Sequence, residues 1–159
     1  MRGLAWRLRE KFSERRGFLL DSSYLLPIFS IDIDLRFTLK DILRAGEPVY
    51  YNPVSLVEIK WVLYKLVRKG YIDMAAARKN YIKGLGLLLR DKRLKSTPLT
   101  TPGIERVADI LHDLGINDYF DRLIAATSIV GRLKLLTDDR ELLNIEAKYR
   151  EYIRKLRGN

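Results

Sequence analysis

The sequence predicts an α/β fold: a three-layer sandwich, with a central parallel sheet of four to five strands and helices on both faces. Three observations carry this. Short apolar runs alternate with longer amphipathic segments along the chain, the order that yields strand–helix–strand crossovers. Apolar residues make up 47% of the 159 residues and charged residues 31%, enough to bury a core without disulfides. Short turns marked by glycine and proline separate the segments, with no long linker. A single domain is therefore expected at 17–159, preceded by a basic segment at 1–16.

The elements follow in order. Residues 1–16 place Leu4, Leu8 and Phe12 four apart among Arg2, Arg7, Arg9, Lys11, Arg15 and Arg16, the pattern of a basic amphipathic helix or a loose arm. Residues 17–20 are a brief apolar run that reads as a buried strand. Ser22 or Ser23 then caps a short helix to about Phe29. Thr38, with Asp41 three residues on, opens a helix over 38–45 that Gly46 closes. Residues 48–51 read as a second strand. Residues 54–68 form a helix ended by Lys69 and Gly70. A further helix spans 72–90, with Gly84 and Gly86 expected to weaken its later part. Residues 95–99 suggest a third strand. Pro102 and Gly103 open a helix to about Leu114, and Asn117 or Asp118 caps another to Val130. Residues 133–136 read as a fourth strand, and 140–156 as a terminal helix.

Composition excludes several chemistries. The chain has no cysteine, so disulfide scaffolds, thiolate zinc, iron–sulfur clusters and thiol catalysis are out. Its one histidine, His112, lies in an amphipathic helix away from the acidic motifs and is expected to be structural. A metal would be held by oxygen, which favours Mg²⁺ or Mn²⁺. The net charge of +10 points to a polyanionic partner, nucleic acid first. The longest uncharged apolar run, 22–31, is about half of what a membrane span requires. Arg15 and Arg16 before Phe18 hint at a leader, but Asp21 interrupts the run, so it reads as mature sequence. The expected location is the cytoplasm.

In parallel sheets, sites lie beyond the carboxyl ends of the strands. Asp21 closes the first apolar run. Asp139, after Thr137 and Asp138, closes the last. Asp121 stands near the start of the helix that feeds the last strand. Glu58 lies on a mostly apolar helix with no basic residue three or four positions away. Each has a plain structural alternative: Asp21 and Asp139 as helix caps, Asp121 as a first-turn residue, Glu58 in a distant ion pair. Together on one edge they would repel one another unless a cation compensates. Asp32 and Asp34 do not close a strand, and the chain lacks the paired acids of aspartyl phosphatases or receiver domains after the first strand.

These motifs resemble those of PIN-domain ribonucleases. Gly17-Phe18-Leu19-Leu20-Asp21-Ser22-Ser23, Val54-Ser55-Leu56-Val57-Glu58, Asp121-Arg122-Leu123-Ile124-Ala125-Ala126-Thr127 and Leu135-Leu136-Thr137-Asp138-Asp139 occur in the family's order and rough spacing over about 17–150. The last two are the specific part. Ser128 stands where alanine is common, a small-for-small change. The resemblance implies a PIN-like sandwich and a metal-dependent endoribonuclease that leaves a 5′-phosphate. Asp21, Glu58, Asp121 and Asp139 would be its acids, with Ser22, Thr137 and Asp138 in support. Asp21, Asp121 and Asp139 are the expected Mg²⁺ or Mn²⁺ ligands, and Glu58 ligates or orients the nucleophile. The protein would be the toxin of a toxin–antitoxin pair, with a small antitoxin as partner, or a stand-alone RNA-processing nuclease. The alternative is a non-catalytic RNA-binding scaffold of the same fold.

Two further expectations concern partners. Arg78, Lys79, Lys83, Arg90, Lys92, Arg93 and Lys95, against Asp91 alone, form a basic stretch, and Lys83, Arg90 and Arg93 are the candidate RNA contacts. Trp61, Leu63, Leu66 and the tyrosines at 50, 51, 64 and 71 exceed what one small sheet face covers, so a twofold homodimer is expected.

Overall fold

The computed structural model describes residues 16–158, and the basic segment expected at 1–16 lies outside this range apart from Arg16. Four strands of three residues each build the sheet: β1 (Phe18–Leu20), β2 (Val49–Tyr51), β3 (Leu94–Ser96) and β4 (Lys134–Leu136). All pair in parallel, in the order β3-β2-β1-β4. Between them lie a 3₁₀ helix (Ser22–Phe29), α1 (Leu39–Arg44), α2 (Val54–Arg68), α3 (Met74–Arg90), α4 (Pro102–Asp113), α5 (Tyr119–Gly131) and α6 (Ile145–Arg157).

The side-chain alternation of β1 divides the core in two. Phe18 and Leu20 pack with the 3₁₀ helix, Ile42 of α1, Ile59 and Leu63 of α2, and Ala77 and Leu88 of α3. Leu19 points the other way, into a cluster built by α4, α5 and Ile145 of α6. Helices therefore cover both faces, as expected from the strand–helix alternation. No helix among the described residues is long and apolar enough to cross a membrane.

Local signals set most boundaries. Thr38 and Asp41 exchange hydrogen bonds as a capping box. Thr101 caps α4 with Pro102 in its first turn, and Asp118 caps α5.

Five expectations need correction. The turn over 22–29 is a 3₁₀ helix capped by Asp21, not by Ser22 or Ser23, and Pro27 within it removes one backbone donor. The helix expected from residue 72 begins at Met74, because Asp73 accepts from Ala76 N at 2.6 Å. That helix continues unbroken past Gly84 and Gly86 to Arg90. β3 spans 94–96 rather than 95–99, since Pro98 has no N–H to extend the ladder. The final helix begins at Ile145 rather than 140, after Asn144 takes a left-handed conformation at φ 63°.

The apolar surplus assigned to a dimer face also shrinks. Leu63 follows Ile59 on the inward stripe of α2 and is buried, as is Tyr51 in β2. Tyr50, Tyr64 and Leu66 are half-buried, which leaves Trp61 (53% exposed) and Tyr71 (73%) on the surface. His112 lies on α4 and is exposed beside Asp113.

Candidate functional site

Strand register assembles the site. Leu20 of β1 pairs with Leu136 of β4, so the residues that follow, Asp21 and Thr137, come side by side at the carboxyl edge. Asp21 N donates to Leu136 O at 3.0 Å. The Asp21 carboxylate accepts from Ser22 N through Oδ1 and from Thr137 Oγ1 through Oδ2, both at 2.7 Å. Thr137 Oγ1 in turn accepts from Asp139 N at 3.0 Å. One threonine hydroxyl thus ties the first acid to the backbone of the last. Asp139 Oδ1 accepts from Glu141 N at 2.8 Å, which folds the chain back toward α6.

Glu58 reaches the same edge from α2. Ser22 Oγ donates to Ser55 Oγ at 2.9 Å, linking the 3₁₀ helix to the first turn of α2. Glu58 lies three residues on from Ser55, on the same helix face. Its Oε1 is buried and has no hydrogen-bond partner. Burial first, then the charges of Asp21, Asp121 and Asp118, push its carboxyl up to about 7, against a smaller lowering by the neighbouring Ser22 hydroxyl. Asp121, in the first turn of α5, donates its N–H to Asp118 Oδ1 at 3.2 Å. Its carboxyl is also pushed up to about 7, by burial and then by Asp118, Asp21, Asp139 and Glu141. Asp21 is raised mainly by burial, despite its two donors.

The structure brings the four acids into mutual repulsion, and among the described residues none of them makes an ion pair. No three of the described carboxylates converge tightly enough, as they stand, to hold an ion. The donor set is nevertheless all oxygen, and the buried acceptor on Glu58 lacks a donor. Both features fit a hard divalent cation.

The supporting residues divide. Ser22 and Thr137 act on the acids as described. Asp138 turns elsewhere: it accepts from Tyr24 OH at 3.1 Å and from Arg36 N at 3.3 Å. Burial, followed by Asp138, keeps the Tyr24 phenol protonated far above its ordinary range. Of the expected RNA contacts, Arg90 and Arg93 flank the start of β3, at the amino edge and thus opposite the acids. Arg90 Nε donates to Gly86 O, and Arg93 forms a two-point pair with Asp91. Lys83 is exposed midway along α3.

Sequence reasoning missed Asn52. It is fully buried just after β2. Its Nδ2 donates to Thr127 Oγ1 (2.9 Å), Leu99 O (3.1 Å) and Pro98 O (3.3 Å), and its Oδ1 accepts from Val54 N (2.9 Å). One amide thereby joins the start of α2, the 98–99 loop and α5, the elements that carry Glu58 and Asp121. The signal was an Asn-Pro pair directly after an apolar run, at the edge where sites form.

A family model described as PIN domain matches residues 18–148. The chain belongs to the PIN domain family. PIN domains are generally nucleases and typically use divalent metals. This PIN domain also resembles a solved structure, "Crystal structure of PAE2754 from Pyrobaculum aerophilum". Identity is 21% and the TM-score 0.57, over 87% of this chain and 90% of that one. At that identity the likeness concerns the fold. No curated protein matches the chain.

Proposed function

We propose that this PIN domain is a metal-dependent endoribonuclease that hydrolyses RNA phosphodiester bonds. The observation that carries the reading is the set of uncompensated acids at the carboxyl edge, which includes the orphaned Oε1 of Glu58. Stability alone does not favour such an arrangement, because each buried carboxylate without a cation costs free energy. Asp21, Asp121 and Asp139 would hold Mg²⁺ or Mn²⁺, with Glu58 ligating directly or through water. A divalent ion bound there polarises the phosphate and lowers the pKa of an attacking water. The chain's own residues prepare the site. Thr137 and Ser22 N–H fix the Asp21 carboxylate in one orientation. With its carboxyl pushed up to about 7, Glu58 is partly protonated near neutral pH, and a cation at Oε1 would favour its ionised form.

Incubation of pure protein with RNA and Mn²⁺, wild type beside Asp21→Asn, tests this directly. Metal-dependent cleavage by the wild type alone is expected. Absence of cleavage with either protein favours the second reading, a non-catalytic RNA-binding scaffold. The dispersed carboxylates are the observation on that side.

Two roles fit a ribonuclease of this kind. One is the toxin of a toxin–antitoxin pair, blocked by a small partner protein. The other is stand-alone RNA processing. A short upstream gene for a DNA-binding protein marks the first. We also propose a twofold homodimer, resting now on exposed Trp61 and Tyr71. Light scattering at low micromolar concentration decides it, and a monomer mass near 18.6 kDa ends the idea.

A further inference from the structure

We infer that Arg36 binds the phosphate backbone of the RNA strand beside the acidic edge, and that Asp138 is the residue that positions it. The inference rests on the ribonuclease reading above and names how that site takes hold of its substrate.

Asp138 lies between Thr137, which binds Asp21, and Asp139. Its own oxygens have other partners: Oδ1 accepts from Tyr24 OH and Oδ2 from the Arg36 backbone N–H. Tyr24 is buried in the core and serves as a fixed post. The carboxylate therefore clips the 31–37 segment to the strand end that carries the catalytic candidates. The Arg36 side chain is exposed, and among the described residues its guanidinium makes no hydrogen bond or ion pair. It lies 5.5 Å from the centre of the Phe37 ring. Phe37 is packed against the core, so the ring gives the cation a preferred direction.

The surrounding charge defines what Arg36 does. Asp32 and Asp34 precede it and are exposed, so the segment is no general basic patch. A polyanion approaching four carboxylates is repelled unless a cation receives it. A guanidinium matches two phosphate oxygens in a way that diffuse charge cannot. Arg93 is already held by Asp91 at the opposite edge. Arg140 is exposed beside Asp139 but sits in a turn with no comparable anchor, and it serves as the control.

Binding of single-stranded RNA is measured on the Asp21→Asn protein, so the readout does not depend on cleavage. Arg36→Ala should weaken binding about ten-fold and lower the slope of log affinity against log salt by about 0.7, the value for one lost single-strand phosphate contact. Arg36→Lys should restore the slope but only part of the affinity. Asp138→Ala should weaken binding although every cation remains. An unchanged slope in Arg36→Ala, a larger loss in Arg140→Ala or Arg93→Ala, or no RNA binding at all overturns the inference. Wild-type protein that binds RNA through Arg36 without cleaving it would instead sink the nuclease reading alone.

Discussion

At the amino edge of the sheet, polar groups find partners at short range. Phe18 N donates to Pro48 O at 2.9 Å, Lys134 N to Gly17 O at 2.9 Å, and Arg93 is joined to Asp91 two residues away. Gly17 is there because a side chain would not fit: at φ 138°, a Cβ would lie 2.3 Å from Pro48 O. At the carboxyl edge, three carboxyls are held above their ordinary pKa, and two buried oxygens, Glu58 Oε1 and Ser23 Oγ, have no partner among the described residues. The same four strands end in a satisfied edge and a frustrated one. Departures from local satisfaction concentrate where a sequence serves something other than its own stability. The contrast marks the carboxyl edge as the candidate working edge without reference to any relative.

The largest expected effect breaks the frustrated edge. Asp21→Asn or Asp139→Asn should reduce metal-dependent cleavage on the order of 10⁴-fold, as when one member of an interdependent set is lost. The apo protein should melt at the same temperature or higher, because like-charge repulsion is relieved. If either variant unfolds more easily than wild type without metal, the acids hold the fold together and the contrast between edges fails.

Next is Asn52, whose amide is hydrogen-bonded at both its oxygen and its nitrogen at the frustrated edge. Asn52→Ala strands Val54 N and two carbonyls, for a loss of about 2 kcal/mol in urea unfolding. Metal affinity, read by Mn²⁺ titration calorimetry, should fall as well, since Glu58 and Asp121 lose their common tether. A stability loss with unchanged Mn²⁺ affinity would reduce Asn52 to a loop anchor.

The edge architecture was legible in the sequence, and its bonding was not. Apolar runs followed by Asp21 and by Thr137, Asp138 and Asp139 placed acids at strand ends, because a parallel sheet leaves no other exit. The partners of those acids depend on register and on side-chain direction. Asp138 read as a supporting residue, but nothing in the sequence showed that Tyr24 OH and Arg36 N would be its donors. Lys83, Arg90 and Arg93 read as one patch because sequence shows charge and not the edge on which it falls. Gly84 read as a helix breaker; a Cβ there would lie 2.5 Å from Phe29 Cδ1, so it marks close packing between α3 and the 3₁₀ helix.

The pH dependence of the metal-free protein sharpens the comparison. Glu58 and Asp121 have folded pKa values of about 7, above the ordinary 4.5 and 3.8. The folded state therefore holds more protons than the unfolded state between these limits, and stability falls as pH rises through this window. The melting temperature of apo protein should decline from about pH 4 to pH 7 and level off above it. Millimolar Mg²⁺ or Mn²⁺ at pH 7.5 should raise it by about 5 °C, on the usual scale for a domain of this size. A flat profile would mean that the acids are ionised at no cost, with a compensating cation already supplied by the chain.

The smallest effect is expected at the satisfied edge. Arg93 and Asp91 meet at 2.6 Å with the arginine side chain 69% exposed, and exposed pairs two residues apart lose to solvent and side-chain entropy most of what they gain in contact. Arg93→Ala should leave the melting temperature unchanged. RNA affinity should respond little for a separate reason: the guanidinium is already engaged, and it stands at the far end of the strands from the acids. A fall in the RNA salt slope equal to that expected of Arg36→Ala would place the strand across both edges. The acidic edge would then be one end of a longer path along α3, and the amino edge would have to be counted as part of the working surface.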